Sequence, residues 1–469
     1  MKKKHNKIDI KTILFIILIF SGIIRLSLAY VNNYMDDPQY NDIEYILETG
    51  NLPSREDGTC DSSCDTPKLY YWFNAKLIQL FNFRQINPIR FLNIVHAIVG
   101  IITIYYALLF INALKLKKYT KIAIFSLVAF NPGLIRVNIQ IIPHTFVICF
   151  SVIASYYAFK FFKTKTNYNF LMMTFFCILA LITKTNSIVL FFCILAVLVF
   201  SVISEKKNMK QNIIYLNLFL FLILLIVPFF GGYITNYKTK GSFFIYKYHT
   251  NEKETPLYFF KETYTTDPGI ISFYRGYLTF PIVSLIKHPR IRNYLDSPDW
   301  ILEAHTTSLW TQIYARSLFI PYSCGMFNGN DVYPHSLNLR FEQMPIYMFI
   351  GRMVLVLGLV LILLFFLGFF NILKSLVKKK LSKEHIFFSL LSIMYLLFMV
   401  VFTMRYRNYY RIKDIYMYPG LFGYIYVVSN GLDNLKKAYK PVLVIIGVII
   451  FLHLMDLLFI FIPLLNTII

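Results

Sequence analysis

Two groups of charged residues in this sequence have types and spacings suited to chemistry on a hydroxyl and on a phosphate. Between Val31 and Pro67 lie nine of the chain's 24 acids, with Arg55 the lone base among them. They include the adjacent pair Asp36-Asp37, inside Asp36-Asp37-Pro38-Gln39-Tyr40. Neighbouring carboxylates can share a metal, or one can take the proton from a hydroxyl that is about to attack. For any single acid here, a solvated loop is the plainer reading. The second group is Met404 to Pro419, MRYRNYYRIKDIYMYP, where Arg405, Arg407, Arg411 and Lys413 face one acid, Asp414. Five tyrosines interleave with these cations. Arginine pairs bidentately with phosphate, so a headgroup-level phosphate site and simple attraction to anionic lipid are the two readings. Cys60 and Cys64 sit in the acidic loop and form a disulfide candidate if that loop meets an oxidising compartment. Their spacing, with no partner His or Cys nearby, does not predict a metal site.

Membrane spans must position these groups. The chain is 57% hydrophobic and only 15% charged, which excludes a water-soluble globular domain. Its net charge of +23 does not point to nucleic acid, because the bases sit in short clusters between apolar runs, as in loops at an anionic membrane face. A basic start, Met1 to Lys11, precedes an apolar run from Ile13 to Tyr30, read as a retained first span and not a cleaved leader. Ten further runs follow near 91–113, 122–137, 143–162, 168–184, 186–204, 211–235, 346–372, 386–403, 415–430 and 441–463. The expected fold is therefore an all-α polytopic membrane protein with about eleven spans. It divides into an N-terminal membrane region (1–235) whose first outer loop is 31–90, an outer-face subdomain (236–345), and a C-terminal membrane region (346–469).

Orientation follows from charge. Alternating sides puts 23 of the 47 Lys and Arg in the segments assigned to the cytoplasm, against four acids; everything else holds 24 bases and 20 acids. The positive-inside tendency then places the N-terminus in the cytoplasm and the C-terminus outside. The cations of 405–413 fall on the side that should be poor in bases. Arg25, in the outer half of the first span, calls for a buried acid partner or for snorkelling to the surface. Arg136 and His144 read as turn residues, or alternatively as the border of a cavity. Trp300, Trp310, Tyr314 and Arg316 suit either packing within the outer subdomain or stacking on a sugar.

Downstream of the acid pair, Ile43 to Leu52 reads as a short amphipathic helix ended by Gly50, and Pro67 to Ala75 opens another with an aromatic face. This ordered set resembles the GT-C glycosyltransferases, specifically the branch of protein O-mannosyltransferases and bacterial aminoarabinose (lipid A) transferases. That branch has Asp-Glu-x-x-Tyr after the first span, a Gly-x-x-Pro, a Lys/His-Pro-Pro-Leu-x-x-Trp, and an Arg opening the next span. Here stand Asp36, Asp37 and Tyr40, then Gly50 and Pro53, then Pro67, Leu69, Tyr71 and Trp72, then Arg90. Asp37 replaces the usual Glu, Thr66 the Lys or His, and Lys68 the second Pro. The close motif match covers about 60 residues, and the span layout extends it over most of the chain. Late in the chain, Arg411 to Pro419 is similar to an Arg/Lys-x-x-Tyr-x-x-Pro stretch of the same enzymes.

The resemblance implies an inverting glycosyltransferase that moves a hexosyl or pentosyl group from a polyprenyl-phosphate carrier to a hydroxyl-bearing acceptor at the outer face of the plasma (inner) membrane. Asp36 would be the base, with Asp37 the alternative. Arg411 and Lys413 would contact the lipid phosphate, with Arg405 and Arg407 behind them and Lys68 standing in for the missing Lys or His. Tyr40, Tyr71 and Arg90 are further substrate-binding positions. No cofactor is predicted, although the acid pair leaves room for a divalent cation. A protein, lipid A or another glycan fits as acceptor. A flippase for lipid-linked saccharide is the alternative from another class; an O-antigen ligase or polymerase is a third reading, with its reactive residues in the late outer loop.

Overall fold

The computed structural model describes residues 9–32, 37–53, 67–81, 87–241, 243, 277–287, 308–318, 345–377, 382–405 and 414–466, and its secondary structure there is helical. In chain order the helices are α1 (Ile10–Val31), α2 (Asp37–Thr49), α3 (Leu69–Phe81), α4 (Pro88–Ala113), α5 (Lys118–Ala129), α6 (Pro132–Asn138), α7 (Pro143–Thr164), α8 (Asn167–Thr183), α9 (Ile188–Ser204), α10 (Met209–Phe230) and α11 (Tyr233–Lys240). After these come α12 (Ile282–Lys287), α13 (Leu309–Leu318), α14 (Pro345–Val377), α15 (Lys383–Arg405), α16 (Leu421–Asp433) and α17 (Tyr439–Asn466).

All eleven apolar runs are helical. Among the described residues, eight helical stretches are long and apolar enough to cross a membrane. The other three runs depart from a plain span for readable reasons. The expected span 122–137 is α5 and α6, bent by 48° at their junction. Pro132 lacks an N–H, and Asn131 caps the restarted helix, its side chain accepting from the Leu134 N–H at 2.8 Å. The broken end of α5 leaves a carbonyl, Ala129 O, which accepts from Ser21 Oγ (3.1 Å) and Arg25 Nη1 (2.9 Å). α8 is short at 17 residues. α16 has only 13 residues, preceded by two 3₁₀ turns at Asp414–Tyr416 and Tyr418–Gly420, with Pro419 blocking an earlier start. Non-helical backbone at this depth is tolerated because it is buried in protein.

Arg25 corrects one expectation. It is fully buried, yet no carboxylate pairs with it among the described residues; Asn138 Oδ1, Ser21 and Ala129 O accept its N–H groups instead. The arginine thus stitches α1 to the break in the third span.

Most of α7 is buried, which makes it the central helix, whereas α1 and α10 turn rows of large apolar side chains outward (Phe15, Ile19, Ile23; Phe221, Leu224, Leu225) where lipid would meet them. The polar contacts sort into two ends. At the end with the basic loops, the Asp433 carboxylate accepts from the Lys117 N–H (3.0 Å) and Thr120 Oγ1 (2.9 Å). There too Glu205 accepts from Lys165, Lys383 and Asn212 Nδ2. Burial of Glu205 raises its pKa, but these donors outweigh that and bring it down to about 2. The opposite end carries Asn32 to Pro53, α3, α6 and Asp414. Most of the expected subdomain 236–345 lies outside the described residues. Within its described part, α13 is packed into this end of the bundle: Tyr314 donates to Leu355 O of α14 and Trp310 Nε1 to Tyr277 O at 2.7 Å, so packing is what these two aromatics do.

Candidate functional site

The acidic side of the site begins where α1 ends. Asn32 is buried there; its side chain donates to Ile139 O at 2.6 Å, and its own carbonyl accepts from Asn93 Nδ2 at 2.8 Å. The chain is therefore fixed four residues before Asp36. Asp37 opens α2, where a carboxylate residue suits the positive end of the helix dipole. On the far side of the pair, Tyr71 Oη donates to Gln39 Oε1 and the Tyr40 side chain is buried. Tyr40, Ile43 and Ile46 of α2 join Tyr70, Tyr71, Ala75 and Ile78 of α3 in one apolar cluster seated on Leu92 of α4 and Phe146 of α7. Burial, with the Glu44 charge adding to it, raises the Tyr40 pKa, so its hydroxyl stays protonated. α3 is locked to α4 by Tyr70 Oη and His96 Nε2, 3.0 Å apart. His96 Nδ1 lies 2.7 Å from Leu92 O, and since a carbonyl only accepts, Nδ1 holds the proton and Nε2 accepts from the tyrosine.

Lys68 and Arg90 are placed beside this platform. Lys68 Nζ donates to Pro53 O at 3.1 Å, joining the two ends of the loop between α2 and α3. The Arg90 guanidinium lies over the Tyr30 ring, 4.9 Å from its centre. Asp36, Cys60 and Cys64 lie outside the described residues, and of Asp37 only the main chain is described.

The cationic side ends on a buried anchor. Asp414 Oδ1 accepts from Arg136 Nη2 at 3.0 Å and Oδ2 from Tyr418 Oη at 2.7 Å, with all three side chains buried. The lone acid among the late bases is thus a fastener for that segment. Asn131 stands next to it, 3.2 Å from Tyr418 Oη, and donates to Ser317 O of α13 at 2.9 Å. Glycine is required at position 133: a Cβ there would fall 2.3 Å from Tyr418 Oη and 2.8 Å from Asp414 Oδ2. Tyr416 meets the His144 ring edge-on at 5.0 Å. The turn reading of Arg136 is therefore corrected, since the side chain is an internal partner of the late segment. Arg407, Arg411 and Lys413 lie outside the described residues, and Arg405, the last residue of α15, is described by its main chain only.

The two sides converge on one stretch of chain. Arg136 binds Asp414, the neighbour of Lys413, while Ile139 O binds Asn32, four residues before Asp36. The attachment points are the Arg136 side chain and the Ile139 carbonyl, three positions apart at the end of α6. The sequence marked this stretch only through Asn131-Pro132-Gly133, a break signal within an apolar run. Which segments it would join was not written there.

Against known families, residues 65–230 match the model described as dolichyl-phosphate-mannose-protein mannosyltransferase. That match covers about a third of the chain, including the second helix after the acid pair and the spans that follow it. Its long apolar helices are those of a multi-pass membrane protein. No curated protein matches it by sequence. Among solved structures, the crystal structure of ArnT from Cupriavidus metallidurans bound to undecaprenyl phosphate is similar over 89% of this chain and 77% of that one, with 10% identity and a TM-score of 0.34.

Proposed function

We propose that this protein is an inverting glycosyltransferase of the GT-C type that takes a sugar from a polyprenyl-phosphate carrier and passes it to a hydroxyl acceptor, at the end of the bundle where α1 terminates. The observation that carries this reading is the tethering of the acid-pair segment and the late cationic segment to residues 139 and 136 of one stretch. The reaction needs both signs of charge close together. A carboxylate must take the acceptor proton as the oxygen attacks the anomeric carbon, and cations must meet the phosphate as the bond from that carbon to its oxygen breaks. The departing lipid phosphate goes from a singly charged diester to a more highly charged monoester, so positive groups gain in strength along the path.

Asp36 is the base in this reading, with Asp37 as the alternative. Attack from the side opposite the leaving phosphate inverts the configuration. Arg411 and Lys413 hold the phosphate, backed by Arg405 and Arg407, with Lys68 completing the cationic set. Tyr40, Tyr71 and Arg90 shape the platform beneath the sugar. The site faces the exterior or periplasmic side of a bacterial inner membrane, opposite the 23 bases of the inner segments.

The test is sugar transfer by the purified full-length protein from a panel of radiolabelled polyprenyl-phosphate sugars to a membrane extract. Transfer with inversion at the anomeric carbon is expected. Movement of lipid-linked sugar across vesicles without any transfer would replace this reading by the transporter.

A further inference from the structure

The Arg136–Asp414 pair is an expensive way to hold two segments together. Both side chains are removed from solvent, and among the described residues only Nη2 of the arginine has an acceptor, while Nε and Nη1 are buried without one. Taking both charges out of water costs several kcal/mol per ion, and apolar pairs of similar volume often stabilise as well. What the pair supplies beyond adhesion is register. A charge-assisted hydrogen bond accepts one geometry, whereas apolar surfaces slide. Everything around it enforces that geometry. Tyr418 occupies the second carboxylate oxygen, Asn131 abuts the tyrosine while capping α6, and Gly133 leaves no room for any shift toward the helix. The segment so fixed begins one residue after Lys413 and ends at Pro419, where α16 is about to start.

We propose that Arg136 and Asp414 are positioning residues for the donor: their ion pair, completed by Tyr418 and abutted by Asn131, fixes the chain at residue 414, directly after Arg411 and Lys413 of the proposed phosphate site. This rests on the function proposed above and goes beyond it by naming the residues that align the phosphate-holding segment. Neither residue touches the sugar in this scheme.

The experiment uses the full chain in nanodiscs and measures donor KM, acceptor KM and kcat, together with the Kd for undecaprenyl phosphate. The variants are Arg136→Gln, Asp414→Asn, Tyr418→Phe and Gly133→Ala. Tyr418→Phe removes one hydroxyl and no charge, so it keeps the test open if the other variants fail to fold. Asp433→Asn, which weakens a fastening at the opposite end, is the stability control. Donor KM and Kd rising about tenfold or more, with acceptor KM unchanged and the control at wild-type KM, is the expected result. Equal donor KM and Kd in all folded variants would overturn the positioning role while leaving the transferase reading intact. A wild-type protein that binds no polyprenyl phosphate would overturn both. Binding without turnover still decides the positioning role through the Kd comparison.

Discussion

In the proposed reaction the acid pair supplies the base. A carboxylate of ordinary pKa is a weak base in water, and proton removal in the transition state contributes about 10²–10⁴-fold. Asp36→Asn should lower kcat by about that factor while leaving the Kd for polyprenyl phosphate unchanged; full activity in a folded Asp36→Asn protein would move the base to Asp37 or elsewhere. At the cationic side, Arg411→Ala and Lys413→Ala should raise donor KM and lower kcat together, because the phosphate they hold gains charge as it leaves. Unchanged kinetics in both would remove them from the site. Arg25 carries a different lesson. An arginine in a span called for an acid partner or for snorkelling, yet its contacts are those of a structural clasp on the carbonyl left open where α5 breaks.

At the level of elements, α16 shows how a 13-residue helix can serve within a membrane bundle. It presses against α14 so closely that a Cβ on Gly368 would lie 1.9 Å from Val427 O, and one on Gly431 2.0 Å from Leu364 O. Those neighbours are backbone and cannot turn aside, so small residues govern the crossing. Gly431→Val should destabilise the protein by at least about 1–3 kcal/mol, the usual range for overpacking, read as a lower melting temperature in detergent. An unchanged melting temperature would show that the two helices separate freely. The α5–α6 break works in the opposite sense. It opens the backbone, and the freed groups of α5 and the cap of α6 become attachment points for α1, α13 and the Asp414 turn.

For the whole molecule, the two ends differ in their charge logic. Glu205 joins the loop after α7 to the starts of α10 and α15 through Lys165, Asn212 and Lys383. Its pKa lies at about 2, below the ordinary 4.5, so the fold favours the ionised form. The stabilisation is complete above pH 4.5 and is lost as pH falls toward 2. Wild type should therefore lose more melting temperature than Glu205→Gln between about pH 5.5 and about pH 3, and parallel losses would deny the linkage. Topology is checked by cysteines placed at exposed Asn51 and Lys207 in a background without reactive thiols. An impermeant reagent applied to intact cells should label position 51 alone; labelling at 207 alone would reverse the orientation.

The all-helical membrane architecture and the order of the apolar helices were determined by the sequence itself, because apolar length and the clustering of bases are local properties that lipid reads directly. So was the candidate base, since Asp36-Asp37 stands immediately after a span and before two amphipathic helices. The bend at Asn131-Pro132-Gly133 was written as a break signal inside a run, although hydropathy alone read through it. What needed tertiary structure was partnership. Arg136 finds Asp414 across 278 residues, and Asn32 finds Ile139 across 107. No local pattern specifies such pairs, because burial decides whether a charge must be matched, and burial belongs to the packed bundle and not to any one segment.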